Sequence, residues 1–546
     1  MVFFPLTHQI PIPNKDLISW IFDDPQYDQD EPMYIDAQNP SHSISLSQAR
    51  ILVKKLIAGF HSAGLQKGDC VCIHSFNDIH YPILVLGIIA AGGVFTGTNP
   101  SYTPFELTHH FRTADVKFVV TQPEMVENVL EAAGTCKIGK ERIWVFDVLG
   151  EEVLDGLRSW RALLGGGEGE WEGFDDEELA GERVAARLFS SGTTGLPKAV
   201  DISHRNLVAQ HVLTQEINKK PWKTIRLFCL PMFHVAAVPI IHTSVLKSGA
   251  PAVIMRRFDL VPYLEATERF AITEWYMVPP MVIAIIMSPS AKKYSLKSVR
   301  NVSIGAAPLS RESQKALKGL LDERAIVTQV WGMTELTCLA TMFYYPEDDD
   351  TGSIGRIIPN TEAKLLDDNG NEITTYDTPG ELYIRGPTVI KSYYKNPLAT
   401  SQTLTPTRFL ATGDIVYCSA TSKKWYHIDR KKELIKVRGF QVAPPEIESV
   451  LLSHPGIIDA AVIGVKIRGE ECPRAYVVRR PGKQWEGIGE KEVRRWCEMR
   501  LAGYKRLSGG VRFVGAVPKN ASGKILKRIL REEAGREGDG EGRAKL

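Results

Sequence analysis

The 546-residue chain has no apolar run long enough to cross a bilayer. Its longest, YPILVLGIIAAGGVF at Tyr81 to Phe95, ends in a glycine pair and predicts a buried helix. The opening MVFFPLTHQIPIPNKD lacks a basic head and breaks on prolines, so a secretory leader of the usual kind is not expected. The eight cysteines stand at positions 70, 72, 136, 229, 338, 418, 472 and 497. They make no C-x-x-C pair and no zinc spacing, and so read as scattered thiols of a reducing compartment. An excess of charge is missing as well: 66 Lys and Arg meet 64 Asp and Glu, a net +2. With no Lys/Arg-dense arm, nucleic acid is not the expected main partner. A soluble chain of two or more domains with a large core is expected.

What is present is an alternation. SLSQARILVKKLIAGFHSAGL has helical spacing behind a serine start, while DCVCIHSF, VKFVVT and AAVIGV read as short buried strands. Short Gly/Pro/Asp turns between such segments favour an α/β fold with mostly parallel sheets. LLGGGEGEWEGFDDEELAGE reads as a solvated excursion without a core of its own. After His427, DRKKELIKVRGFQVAPPEIESVLLSHPGI crowds charges into a connection and then enters a helix at its paired prolines. Beyond it a compact strand–helix alternation and a polar tail, REGDGEGRAKL, suggest a small C-terminal domain.

The chemistry concentrates in short stretches. SSGTTGLPKAV at Ser190 to Val200 follows the strand-like VAARLF. Gly192 and Gly195 let backbone N–H groups approach an anion, Ser190, Ser191, Thr193 and Thr194 add hydroxyls, and Lys198 adds a compact cation. The spacing is not that of a P-loop, because Leu-Pro-Lys follows Gly195. Composition alone leaves phosphate loop and flexible connector equally open. His234 in PMFHVAAVP, the turn GAAPL at Gly305 to Leu309, Glu335 in QVWGMTE, Asp414 in TGD, the pair Asp429–Arg430 and Lys524 in PKNASGKILKR would each be unremarkable alone. A single His among apolar residues is more often a satisfied core residue, and a single Glu is usually solvated.

Together and in this order, SSGTTGLPK, GMTE, TGD, DR…ELIK…GFQVAP and SGKILKR make the chain resemble the adenylate-forming superfamily of acyl-CoA synthetases, luciferases and peptide-synthetase adenylation domains. Within it the 4-coumarate–CoA ligase-like acyl-CoA ligases are most similar, and the resemblance runs from about Ile44 to Arg528. The chain departs from the family pattern at Ala199, where Gly is usual after the lysine, at Trp331, where the motif usually has Tyr, and before TGD, where the usual Arg is missing.

The resemblance implies a large N-terminal domain of mostly parallel sheets flanked by helices, residues 1–428, and a small mobile α+β C-terminal domain, residues 429–546. It implies a ligase that joins a carboxylate to the α-phosphate of ATP, releases pyrophosphate, and passes the acyl group to CoA. Ser190 to Gly195 and Lys198 would hold phosphates, with Thr193, Thr194 and Lys198 on the β and γ groups. Thr334 would contact the α-phosphate and Glu335 a Mg²⁺ ion. Gly305, Ala306, Ala307 and Trp331 would frame adenine, Gly332 would belong to the same ATP/AMP-binding set, and Asp414 and Arg430 would fix the ribose. His234, Val235 and Ala236 would line the acyl pocket, with His234 orienting the carboxylate, and Lys524 would bridge carboxylate and ATP. For the second step Lys432 is the implied hinge, Lys436 and Gln441 approach the AMP phosphate, and Arg438 and Gly439 line the CoA channel. A small residue at Ala236 leaves room for a bulkier aryl or a fatty acid. An enzyme loading a carrier protein, a luciferase-type oxidase and an inactive acid-binding protein stay open as alternatives. The ending Ala544-Lys545-Leu546 is a conservative variant of the Ser-Lys-Leu address read by the peroxisomal import receptor.

Overall fold

The computed structural model describes residues 9–190, 197–437, 440–467, 470–520 and 523–543. Among them the sequence alternation becomes two large sheets. The first has eight strands, with Lys198–Ser203, Val184–Ser190, Val94–Thr98, Cys70–His74 and Val116–Thr121 at its centre. Lys198–Ser203 runs antiparallel to Val184–Ser190, but the other four are parallel, as in the pairing of Val71 with Phe95 and with Phe118, and both faces are covered. That is why they read as mainly apolar runs instead of alternating ones. The second has seven strands, with Ile326–Gln329, Asn301–Ile304, Glu274–Met277 and Arg226–Phe228 running parallel along one side. A five-stranded antiparallel sheet ends with Leu410–Cys418 and Trp425–Arg430.

Local chemistry explains the element ends. The helix Leu46–Ser62 starts at Ser45, whose hydroxyl accepts from the Gln48 amide while Gln48 Oε1 accepts from the Ser45 amide. Such a reciprocal cap stabilises by about 1 kcal/mol. The apolar run at Tyr81 is not one helix. It is helical only over Tyr81–Ala90, turns at Gly92 (φ +82°), and continues as the buried strand Val94–Thr98. The Gly pair stops the helix where the expected element would have run on.

Two other expectations are corrected. The Gly/Glu-rich excursion is anchored, because Trp171 packs on Phe22 with ring centroids 5.8 Å apart and its Nε1–H donates to Ser19 Oγ at 3.0 Å. The polar tail continues a helix, Lys527–Arg543, whose Leu530 is buried against Ile463 and its neighbours. Among the described residues no helix is long and apolar enough to cross a membrane.

The main body's last strand retains Asp429 and Arg430. Residues 431–434 connect it to a hairpin, Ile435–Val437 with Phe440–Val442, and then to the sheet of Ile457–Ile467, Glu470–Arg479 and Val511–Phe513. This small unit has its own apolar core around Ile447, Val462, Val477 and Val493.

Candidate active site

The carboxyl ends of the parallel strands converge on one crevice, the place where open α/β sheets bind ligands. Ser190 ends one strand, His234 follows another, Gly305 and Ala306 follow Asn301–Ile304, and Gly332 to Glu335 follow Ile326–Gln329. All of them line a cavity of about 460 Å³. Lys198, Val235, Ala236, Arg430 and Lys432 line it too, and from the small domain so does Lys524. Residues more than three hundred positions apart in sequence therefore share one space.

The turn QVWGMTE depends on its glycine. A Cβ at Gly332 would lie 1.6 Å from the Cys338 carbonyl oxygen, because Trp331–Met333 pairs antiparallel with Cys338–Met342 at that point. Close pairing buries Thr334 and Glu335 at the cavity wall, and Tyr393 donates its O–H to Glu335 Oε1 at 2.9 Å. Lys198 Nζ lies 5.1 Å from the Tyr393 ring centre, so cation, ring and carboxylate form a chain. Side chains alternate along a strand, so the Ala199 methyl points away from Lys198 into the core, where Ala199 is 1% exposed. Its departure from the family glycine leaves the lysine's face untouched. In the GAAPL turn Ala306 sits at φ +71°, a strained value for a residue with a side chain and one that holds this wall in a fixed shape.

Asp414 is buried in the strand Leu410–Cys418, directly across from Arg430. Its Oδ2 accepts from Trp331 Nε1–H at 3.1 Å. Its Oδ1 is ion-paired at 3.4 Å with both His427 Nε2 and Arg430 Nε. Burial alone would push this carboxyl up, but His427, Arg430 and Lys524 outweigh it and hold the carboxyl below the usual range. The result is an ionised carboxylate held between His427, Arg430 and the Trp331 indole. Trp331 is not among the residues lining the cavity, and its indole N–H is committed to Asp414.

Lys524 reaches the cavity because Gly523 (φ +81°) lets the loop lie against Pro280 and Val278 of the large domain. Enclosure, and then Arg430, lower the Lys524 ammonium from 10.5 to about 8, against the pull of Asp414, Glu433 and Glu335. Enclosure, with Lys524 nearby, brings His234 down to about 4. His234 is therefore neutral. Its Nδ1 accepts from the Ala236 amide at 3.2 Å, so Nε2 carries the proton and is a donor.

Other expected residues lie elsewhere. Lys436 is exposed and is the direct cross-strand partner of Gln441, so the hairpin brings these two together away from the cavity. Ala307 and Asp414 are not among the cavity-lining residues, Asp414 being buried behind Arg430. Of Gln441 only the backbone is described. Ser191, Gly192, Thr193, Thr194, Gly195, Arg438, Gly439 and Ala544-Lys545-Leu546 lie outside the described residues. Tyr393, His427 and Tyr276 were not anticipated from sequence; a tyrosine in KSYYKNP or a histidine next to DR carries no signal until the fold sets it beside its carboxylate.

The pattern of the AMP-binding enzyme family matches residues 23–394, and that of the AMP-binding enzyme C-terminal domain matches residues 446–524. The chain belongs to the AMP-binding enzyme family. Among curated relatives this AMP-binding enzyme is 51% identical to the phenylacetyl-CoA ligase epaB of Aspergillus niger, over 97% of this chain and 99% of that one. It is 50% identical to the acyl-CoA ligase azaF of Aspergillus niger, over 97% and 100%. Among solved structures, ATP-bound MatB from Rhodopseudomonas palustris superposes with a TM-score of 0.82 at 26% identity, covering 96% of this chain and 99% of that one. An anthranilate CoA ligase in complex with anthranoyl-AMP shares the fold, with a TM-score of 0.85 at 22% identity over 97% and 99%.

Proposed function

We infer that this AMP-binding enzyme is an ATP-dependent, AMP-forming acyl-CoA ligase whose acid is of arylacetic size. The observation that carries the reading is the meeting of His234 and Lys524, from two domains, in one cavity whose other wall holds Lys198 and Glu335. A carboxylate is a poor electrophile, so it must first attack the α-phosphorus of ATP, giving acyl-AMP and pyrophosphate; CoA thiolate then displaces AMP. Both steps rest on positioning and on stabilising charge that develops on phosphoryl and acyl oxygens.

The neutral His234 donates its Nε2–H to one carboxylate oxygen and fixes the attacking one. Lys524 places a cation between that carboxylate and the α-phosphate, two anions that otherwise repel at close range. Lys198 and the loop 190–195 take the outer phosphates. Asp414 and Arg430, paired across two strands, hold the ribose, the carboxylate accepting from its hydroxyls and the guanidinium donating. Glu335 offers a single carboxylate, and the described residues contain no cluster of three or more metal-ligating side chains. That donor set fits Mg²⁺, which binds through one or two carboxylates and substrate phosphates; when bound it would neutralise phosphate charge. For thioester formation the small domain turns about Lys432, withdraws Lys524 and presents Lys436, Arg438, Gly439 and Gln441.

The relative named for phenylacetyl-CoA and the apolar residues Val235, Ile240, Val330 and Leu339 along the cavity support an aryl acid over a long chain. Ala544-Lys545-Leu546 supports delivery to peroxisomes by the import receptor that reads Ser-Lys-Leu endings. The deciding experiment measures pyrophosphate release with and without CoA across phenylacetate, cinnamates and medium- and long-chain fatty acids. Thioester formed only with CoA supports the ligase; acid-dependent pyrophosphate without thioester points to a carrier-protein acceptor, and no release with any acid overturns the reading.

A further inference from the structure

The loop that carries His234 is held from outside the cavity. Residues 229–237 follow the strand Arg226–Phe228 and belong to no strand or helix, so their backbone groups have no ladder to pair with. Leu230, Pro231, His234, Val235 and Ala236 line the cavity, whereas Met232 does not and is 1% exposed. Buried backbone groups of this kind need partners from elsewhere.

Two side chains supply them. Asn77 Oδ1 accepts the Met232 N–H at 3.0 Å. Asn77 Nδ2 donates to the Leu230 carbonyl at 2.9 Å and to the Met255 carbonyl at 3.1 Å, which ties the loop to the end of the neighbouring strand Ala252–Ile254. His242 Nε2 lies 3.0 Å from the Met232 carbonyl, an oxygen that can only accept. Burial brings the His242 ring down to about 3 against the pull of that carbonyl, so the ring is neutral and its one proton is on Nε2. The Tyr81 and Phe95 rings, at 5.6 and 5.8 Å between centroids, hold the imidazole from its other sides. Both backbone groups of Met232 are thus paired to side chains that do not line the cavity. Two residues further on, the His234 N–H closes a turn onto the Pro231 carbonyl at 3.1 Å, so a shift at Met232 passes directly to His234.

We propose that Asn77 and His242 are positioning residues for adenylation: they clamp Leu230 and Met232 and so fix where His234 presents its Nε2–H to the carboxylate. The ATP side of the cavity is built on other elements, the turns at Gly305–Ala306 and Gly332–Glu335, and is independent of the clamp. The inference deepens the ligase reading and rests on the role given there to His234.

The test uses the full-length enzyme and the acid of the panel above that is turned over fastest. The variants are Asn77→Ala, Asn77→Asp, which loses both donors, and His242→Phe, which keeps the ring but not its N–H. Each should lower kcat/KM for the acid in pyrophosphate release by about 10–100-fold, the scale of a reacting group misplaced by a fraction of an ångström to about one. The KM for ATP, and thioester formation from supplied acyl-AMP, should stay within about twofold of the parent, and in a His234→Ala background the same substitutions should cost no more than about twofold further. Losses that multiply with His234→Ala, or that reach the ATP KM and the thioester step, would make the two residues structural only and overturn the proposal. So would insolubility of all three variants, or parent activity in those that fold. A slow His234→Ala beside unimpaired clamp variants overturns the clamp alone. A His234→Ala enzyme that adenylates at the parent rate overturns the role of His234 in the ligase reading, and the clamp with it.

Discussion

Raising the pH should switch off adenylation through Lys524 alone. The side chain works as a cation, and its enclosure beside Arg430 brings it from 10.5 to about 8. At about 1.36 kcal/mol per pH unit this corresponds to roughly 3 kcal/mol against holding the charge in the closed cavity. The sign follows directly. Below pH 8 most molecules carry the ammonium, and at pH 9 about a tenth do, so kcat/KM for adenylation should fall about tenfold per pH unit on that limb. Bound ATP adds negative charge beside Lys524 and raises its affinity for the proton, so the same limb in kcat should lie at higher pH. The assay is pyrophosphate release against pH at low and at saturating ATP and acid. Lys524→Arg keeps its charge far above pH 9 and should lack the limb, at a lower rate set by its wider head group. A limb near pH 8 that persists in Lys524→Arg would refute the reasoning, since some other group would then be titrating.

Other substitutions probe the parts separately. Trp331→Phe removes the donor to Asp414 Oδ2 and should raise the KM for ATP about tenfold or more with a smaller change in kcat, as expected for a lost bond to a charged group; equal KM values would show that the indole does not position Asp414. Gly332→Ala drives a methyl into the Cys338 carbonyl and should leave the protein insoluble or lower its melting temperature by several degrees. Ala236→Tyr fills the cavity beside His234 and should narrow the range towards small aryl acids; unchanged kcat/KM on the bulkiest accepted acid would count against its place in the wall. A fluorescent fusion ending in Ala544-Lys545-Leu546 should collect in peroxisomes, and a diffuse signal in peroxisome-bearing cells would remove that assignment.

Much of this architecture could be read in the chain because it is written locally. Ser45 and Gln48 sit three residues apart and announce a helix start, and VKFVVT shows no alternation after Lys117 because both faces of its strand are covered. The candidate site was legible where its residues cluster in one turn, as in QVWGMTE. It was not legible where the partner comes from another element. Tyr393 lies 58 positions from Glu335, and Trp331 lies 83 from Asp414. The indole was expected to offer its face to adenine, and only the fold turned its N–H to a carboxylate. Likewise Glu274 and Tyr276 read as ordinary strand residues until Lys220 is placed against them.

The central claim is that two lysines serve two conformations: Lys524 lies inside the closed cavity while Lys436 stands outside it on the hairpin. The direct measurement takes both half-reactions on both variants. One is acyl-AMP formation from acid and ATP, and the other is thioester formation from supplied acyl-AMP and CoA. Lys524→Ala should lower adenylation by about 10²–10³, the cost of one preorganised donor, and leave thioester formation close to that of the parent enzyme. Lys436→Ala should make adenylate at near the parent rate and pass it to CoA slowly. Equal damage to both half-reactions by each variant would mean one fixed site, and would contradict the account.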